Sequence, residues 1–158
     1  MLQRVAWSAV LLMASGAGFA EEVPLPVVVF VCEHGSAKSL VAASFFERLA
    51  KQQGVKLRAV SRGTSPDATV PPAVVEALGG DGFDVASFKP QALRDTDVTS
   101  ATRVVAIGAD IGSLAAGAGT RLEKWDDIPP FSESYAKARE ALVSHLRSLL
   151  REMTAVKK

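Results

Sequence analysis

Val27-Val28-Val29-Phe30-Val31-Cys32-Glu33-His34-Gly35-Ser36-Ala37-Lys38-Ser39 is the stretch on which the fold turns. Its first five residues are all apolar β-formers, the pattern of a strand covered on both faces in a parallel sheet. The character then changes. Cys32 to Ser39 carries Gly35, Ser36 and Ser39, and after it the apolar residues fall at helical spacing, with Ala42, Phe45, Phe46 and Leu49 on one face. Gly54 is placed to end that helix. A strand, a small-residue loop and a helix in that order make the first half of a βαβ unit.

The same alternation continues outward. Leu57 to Ser61 reads as a second strand, followed by a turn-rich segment from Gly63 to Asp67. Pro71-Pro72 opens a short helix through Leu78, because proline suits a first helical turn, and Gly79-Gly80 with Gly82 is expected to stop it. Gln91 to Asp95 suggests one helical turn, Arg103 to Ile107 a third strand, and Gly108 to Gly119 a small-residue loop. Arg121 to Trp125 is a shorter fourth strand. After Pro129-Pro130, Ser132 is the expected N-cap of a last helix. The apolar stripe of that helix is Tyr135, Ala138, Leu142, Leu146, Leu149, Leu150 and Met153. Strands that alternate with helices predict an α/β three-layer sandwich, with a parallel sheet of about four strands flanked by helices.

The first twenty residues differ from this pattern. Arg4 is a positive start, Val5 to Ala14 an apolar run, and Gly18-Phe19-Ala20 a small-x-small cleavage site ahead of Glu21-Glu22. Residues 1–20 therefore read as a secretory signal peptide. The apolar run falls well short of the roughly 20 residues that span a bilayer. The expected mature domain is 21–158, delivered to the periplasm or secreted, with no stable membrane insertion after cleavage. Taking Arg4 away leaves 17 bases facing 17 acids, a balance that does not suit a nucleic-acid partner. The 158 residues suffice for one hydrophobic core without disulfide staples. The chain has one cysteine, Cys32, so it forms no internal disulfide, and a free thiol kept in an oxidising compartment is informative.

Ligands of open parallel sheets bind beyond the carboxyl ends of the strands. Cys32 stands at that place, between a strand and a helix. Successive N–H groups in such a turn form a concave nest for an anion, and the helix dipole adds positive charge. The same field favours a thiolate. Lys38 at the helix start reinforces both effects.

Val31 to Ser39 resembles the phosphate-binding loop of the low-molecular-weight tyrosine phosphatases and their arsenate-reductase relatives, whose pattern is Cys, five residues, then Arg and Ser or Thr. The likeness continues in order through Val60-Ser61-Arg62-Gly63-Thr64, Pro71 to Ala77, Gly82-Phe83-Asp84-Val85, Arg103 to Ile107 and Trp125 to Pro130. The resemblance implies that fold. It also implies a nucleophilic Cys32 that forms a cysteinyl intermediate and Ser39 as the hydroxyl partner of its sulfur. The oxyanion site it implies is built from the amides of Glu33, His34, Gly35, Ser36, Ala37 and Lys38. A phosphomonoester, protein phosphotyrosine included, or a similar oxyanion is the implied substrate, with no cofactor and no metal.

The match departs from the family at several positions. Lys38 stands where the family has Arg, exchanging a planar fork for a point charge. That exchange is worth about 1–3 kcal/mol of transition-state stabilisation. Gly35 replaces a loop Asn. His34 is unusual, and is read as a loop-packing or solvent-facing residue rather than a catalyst. Proline occupies the position of the family's acid, so Asp126 or Asp127 has to substitute for it; the alternative is an exposed pair of turn aspartates. Arg62 replaces a small residue. Either its guanidinium reaches the anion site and compensates for Lys38, or it is a surface arginine. With Tyr135 in the last helix, no aromatic is placed to line a deep cleft. No second cysteine can resolve Cys32, so an arsenate reductase of this sequence needs an external thiol. Four expectations follow: a phosphatase, such a reductase, a degenerate relative that binds oxyanions without turnover, or an exported globular domain whose buried cysteine is inert.

Overall fold

The computed structural model describes residues 23–155, so the leader expected over 1–20 lies outside the described residues. Four parallel strands form one sheet in the order β2-β1-β3-β4: β1 is Val27–Cys32, β2 Arg58–Gly63, β3 Arg103–Ile107 and β4 Leu122–Trp125. The helices are α1 (Lys38–Gln52), α2 (Pro72–Gly80), α3 (Asp95–Ser100), the single turn α4 (Ala115–Ala118) and α5 (Tyr135–Ala155). This is the expected α/β sandwich, with about four strands now four.

The alternation of β1 divides the core in two. Val28 and Phe30 face α1, α2 and α5, while Val29 and Val31 face α3 and α4. Phe30 is fully buried, a side chain worth about 1.5–3 kcal/mol in apolar transfer. Its ring meets Phe46 of α1 edge-on at 5.5 Å and Trp125 of β4 at 5.9 Å. The α5 stripe docks as spaced, with Ala138, Leu142, Leu146, Leu149 and Leu150 all buried.

Several boundaries move for identifiable reasons. Gly79 and Gly80 lie in the last turn of α2, and Gly82, at φ +82, makes the exit. Gln91 to Asp95 is not a helical turn. Gly63 N–H donates to Gln91 O (2.9 Å) and Leu93 N–H to Gly63 O (2.9 Å), so this segment is extended backbone that covers the end of edge strand β2. Helix begins only at Asp95. The segment 108–119 is not all loop, since a 3₁₀ turn and α4 form within it. Ser134, not Ser132, caps α5: its Oγ accepts from the N–H of Lys137.

Strand order reverses on the two sides of β1, which makes the β1–β3 boundary the switch point of the sheet. Cys32 ends β1 there, and Ile107 ends β3.

Candidate active site

Cys32 Sγ is buried, at 5 % exposure, under the loop that joins β1 to α1. Two polar groups converge on it. Ser39 Oγ lies 3.0 Å from the sulfur, and the N–H of Gly35 points to it across 3.3 Å. Ser39 is itself held by Ser61 Oγ at 2.8 Å, and Ser61 donates to Gly35 O at 3.0 Å. Among the described residues the buried polar side chains are Ser36, Ser39 and Ser61, and all three belong to this loop or its support. None is left without a hydrogen-bond partner. Burying three hydroxyls at one place costs free energy unless each is paired, so the network fixes a single loop conformation.

The backbone of the loop is turned by the segment beside it. The carbonyls of Cys32, Glu33 and His34 accept from the N–H groups of Thr64, Ser65 and Asp67 at 3.1, 2.8 and 3.0 Å. With these carbonyls drawn outward, the N–H groups of Glu33, His34, Ser36 and Ala37 find no acceptor among the described residues. Unpaired amides beside a helix N-terminus form the nest that an anion fills. Gly35 sits at φ +63, which a side chain rarely adopts. Its replacement of the family's Asn therefore leaves the turn in a conformation glycine favours.

A cavity of about 350 Å³ opens over the sulfur. Its walls are the loop residues Cys32, Glu33, His34, Ala37 and Lys38, the β3 end at Ile107 and Gly108, and the segment Pro130-Phe131-Ser132. Phe131 corrects the expectation that no aromatic lines the cleft. It lies in the proline-rich connection rather than in a helix, and its ring is braced edge-on by Tyr135 at 5.4 Å. Tyr135 in turn donates to Asp81 Oδ2 at 2.6 Å. Burial, and then this bond, push the Tyr135 phenol well above its ordinary pKa.

Lys38 lies on the cavity wall, with its ammonium committed to Ile128 O at 2.9 Å. A cation in the first turn of a helix opposes the dipole, and the bond to Ile128 relieves part of that conflict. The lysine thus joins the loop to the segment that leads into the Phe131 wall.

Arg62 does not reach the anion site. Its Nε and Nη2 form a paired contact with the Asp97 carboxylate of α3, both at 3.0 Å, and its Nη1 donates to Ser61 O at 2.9 Å. Strand alternation is the cause, since Ser61 points toward Ser39 and the next residue must point to the opposite face. Asp127 is likewise withdrawn. Its carboxylate, 67 % exposed, accepts from His145 Nε2 at 2.9–3.0 Å, and the His145 ring stacks on Trp125 at 4.7 Å. The hydrogen bond from His145 holds Asp127 below the usual carboxylate range. Asp126 is exposed, and neither aspartate is on the cavity wall. His145 gave no sign in the sequence, because its partner lies 18 residues away in a turn.

Asp67, beyond the residues singled out from the sequence, ties the loop from outside. Its Oδ2 accepts from Ser36 Oγ, and its Oδ1 lies 3.3 Å from His34 Nδ1. A thiol at a strand end, a hydroxyl on it, unpaired amides around it and a cavity above it can hold a tetrahedral oxyanion and attack its central atom.

The family model of the low molecular weight phosphotyrosine protein phosphatases matches residues 27–142, and the chain belongs to that family. Solved structures repeat the fold. YfkJ from Bacillus subtilis superimposes with a TM-score of 0.75 at 20 % identity, over 87 % of this chain and 99 % of that one. A low molecular weight protein tyrosine phosphatase from T. tengcongensis gives 0.70 at 23 %, over 80 % and 99 %. A thioredoxin-dependent arsenate reductase from Corynebacterium glutamicum gives 0.66 at 22 %, over 85 % of this chain and 65 % of that one. No curated protein matches the sequence.

Proposed function

We propose that the chain is a Cys-dependent phosphatase acting on a phosphomonoester through a cysteinyl-phosphate intermediate. The observation that carries this is Cys32 Sγ between Ser39 Oγ (3.0 Å) and the Gly35 N–H (3.3 Å), beneath a cavity ringed by unpaired loop amides. The thiolate attacks phosphorus in line with the leaving oxygen, the amides of residues 33–38 take up the charge on the equatorial oxygens, and Ser39 stabilises the sulfur when it departs. Lys38 supplies a cation at the wall. Phe131 offers an apolar face for the ester's organic group, which suits an aryl ester such as a phosphotyrosine side chain. Cleavage of the 1–20 leader and export to the periplasm belong to the same proposal.

The deciding assay is hydrolysis of an aryl phosphate by the mature chain and by Cys32→Ser. Turnover that vanishes in the variant, with phosphate still bound, supports the proposal; turnover in both defeats it. One observation favours a second reading. Neither Asp126 nor Asp127 lines the cavity, and lack of a placed acid costs about 10²–10⁴ in rate for a poor leaving group. Phosphate binding without hydrolysis of even an activated ester identifies a degenerate oxyanion-binding relative. Arsenate reduction by this chain needs an external thiol to release Cys32, since the sequence has one cysteine.

A further inference from the structure

The cavity over Cys32 has a wall without an aspartate, yet it is not without a proton carrier. Besides the thiol, its titratable lining residues are Glu33, His34 and Lys38. Lys38 is bound to Ile128 O and is a cation with no acceptor atom. His34 is held from behind, with Nδ1 at 3.3 Å from Asp67 Oδ1. Asp67 is fixed by Ser36 Oγ and by its own N–H on His34 O at 3.0 Å. His34 Nε2 lies 3.8 Å from Glu33 Oε2. A carboxylate beside one ring nitrogen of a histidine that lines a cavity is an arrangement that orients a general acid–base group.

From this geometry we infer that His34 carries the proton of the reaction, with Asp67 as its positioning residue. The inference rests on the phosphatase proposal. In the first step the Cys32 thiolate gives an electron pair to phosphorus while the P–O bond to the leaving group breaks. That bond's electrons stay on oxygen, and the His34 imidazolium protonates it, leaving neutral imidazole, free alcohol and cysteinyl phosphate. In the second step water attacks phosphorus and His34 takes the water's proton. The P–S bond breaks with its electrons on sulfur. Inorganic phosphate, thiolate and imidazolium result, so the cycle closes without another reactant. The titratable and charged groups facing His34 are Glu33 on the loop and Asp67 on the adjoining segment, with Cys32 and Lys38 across the cavity.

The test is a leaving-group series on the full chain, from 2,4-dinitrophenyl phosphate to phenyl phosphate. In His34→Gln, kcat/KM for phenyl phosphate is expected to fall about 10²-fold further than for the dinitrophenyl ester, because only the poorer leaving group needs the proton. Asp67→Asn keeps the imidazole but loosens it, giving the same discrimination in weaker form, with kcat falling and KM holding; it decides the matter alone if His34→Gln does not fold. Equal slowing of all esters in both variants overturns the inference, as does finding the discrimination in Glu33→Gln or Asp126→Asn instead. A wild-type chain with no Cys32-dependent hydrolysis removes the phosphatase proposal, and His34 with it. Cys32-dependent hydrolysis with unaltered discrimination removes His34 alone.

Discussion

Gly35 and Gly63 meet backbone to backbone: a Cβ on Gly35 would stand 2.8 Å from Gly63 N, and a Cβ on Gly63 would stand 2.9 Å from Gly35 N. Gly63 pairs with Cys32 in the β1–β2 ladder, so this contact sets how closely the loop rests on the sheet. Neither position has room for a methyl group, and Gly35 also carries a positive φ. Gly63→Ala and Gly35→Ala are each expected to destabilise the fold by about 2–4 kcal/mol, through backbone displacement and strain. Thermal unfolding of the two variants checks this. Phosphate affinity should fall along with the melting temperature.

Ser39→Ala removes the hydroxyl 3.0 Å from Cys32 Sγ. Its expected effect is on breakdown of the intermediate, where sulfur is the leaving group. A burst of aryl alcohol followed by turnover slowed about 10-fold or more is the anticipated result, equivalent to one lost hydrogen bond to a charged group. Stopped-flow measurement of burst amplitude and steady-state rate separates this from a loss of binding.

Lys38→Arg restores a planar fork at the helix start. The arginine is expected to raise kcat/KM about 10- to 100-fold, the equivalent of about 1–3 kcal/mol. Lys38→Met should lower it. Measurement of kcat/KM for an aryl phosphate with the three proteins gives the comparison.

Arg62→Ala leaves the Asp97 carboxylate, 15 % exposed, without its guanidinium. The expected cost is about 1–3 kcal/mol of stability, with oxyanion affinity unchanged within about twofold. A large loss of affinity in a variant of undiminished stability would return Arg62 to the anion site. Asp127→Asn, in the same spirit, should leave hydrolysis within about threefold of wild type, since a proton from a group off the cavity wall contributes none of the 10²–10⁴ of a placed acid.

Two titrations follow from the pKa directions. The Asp127 carboxyl is held down by His145, so its contribution to stability is complete above the unfolded carboxyl's pKa and is lost as pH falls through the lower folded value. The contribution is small, below about 1 kcal/mol, as for exposed pairs. Tyr135 runs the other way. Its folded pKa is raised, so the stability it contributes is full below the phenol's ordinary pKa of about 10 and fades as pH rises beyond it. The chain has one tyrosine, so phenolate absorbance reads this group directly. Ionisation delayed beyond that of the denatured chain is the expected outcome.

The strands, α1 and α5 were legible because their signals are local. Five apolar residues ending at Cys32 need two covered faces, and the α5 stripe needs a core. The Cys32–Ser39 pair was legible through the family likeness alone. Longer-range geometry was not. Whether Arg62 faces the anion depends on which face of β2 Ser61 takes, and whether Asp127 serves as an acid depends on where α5 brings His145. Asp67, 35 residues from Cys32 in sequence, drew no attention because a turn aspartate has many ordinary reasons to exist. Ser132 and Ser134 are equally good caps on paper; the turn through Pro130 decided between them.

The opposite pointing of Ser61 and Arg62 has a bearing on how the molecule assembles itself. Slipping β2 by one residue against β1 would thrust a guanidinium into the space beneath Ser39 and detach the loop carbonyls from residues 64–67. Such a chain would bury an unpaired cation, at a cost of several kcal/mol. The misaligned state is thereby penalised at the very spot where Cys32 Sγ is held, so the strand pairing acts as a proofreader for the loop geometry on which the proposed chemistry depends.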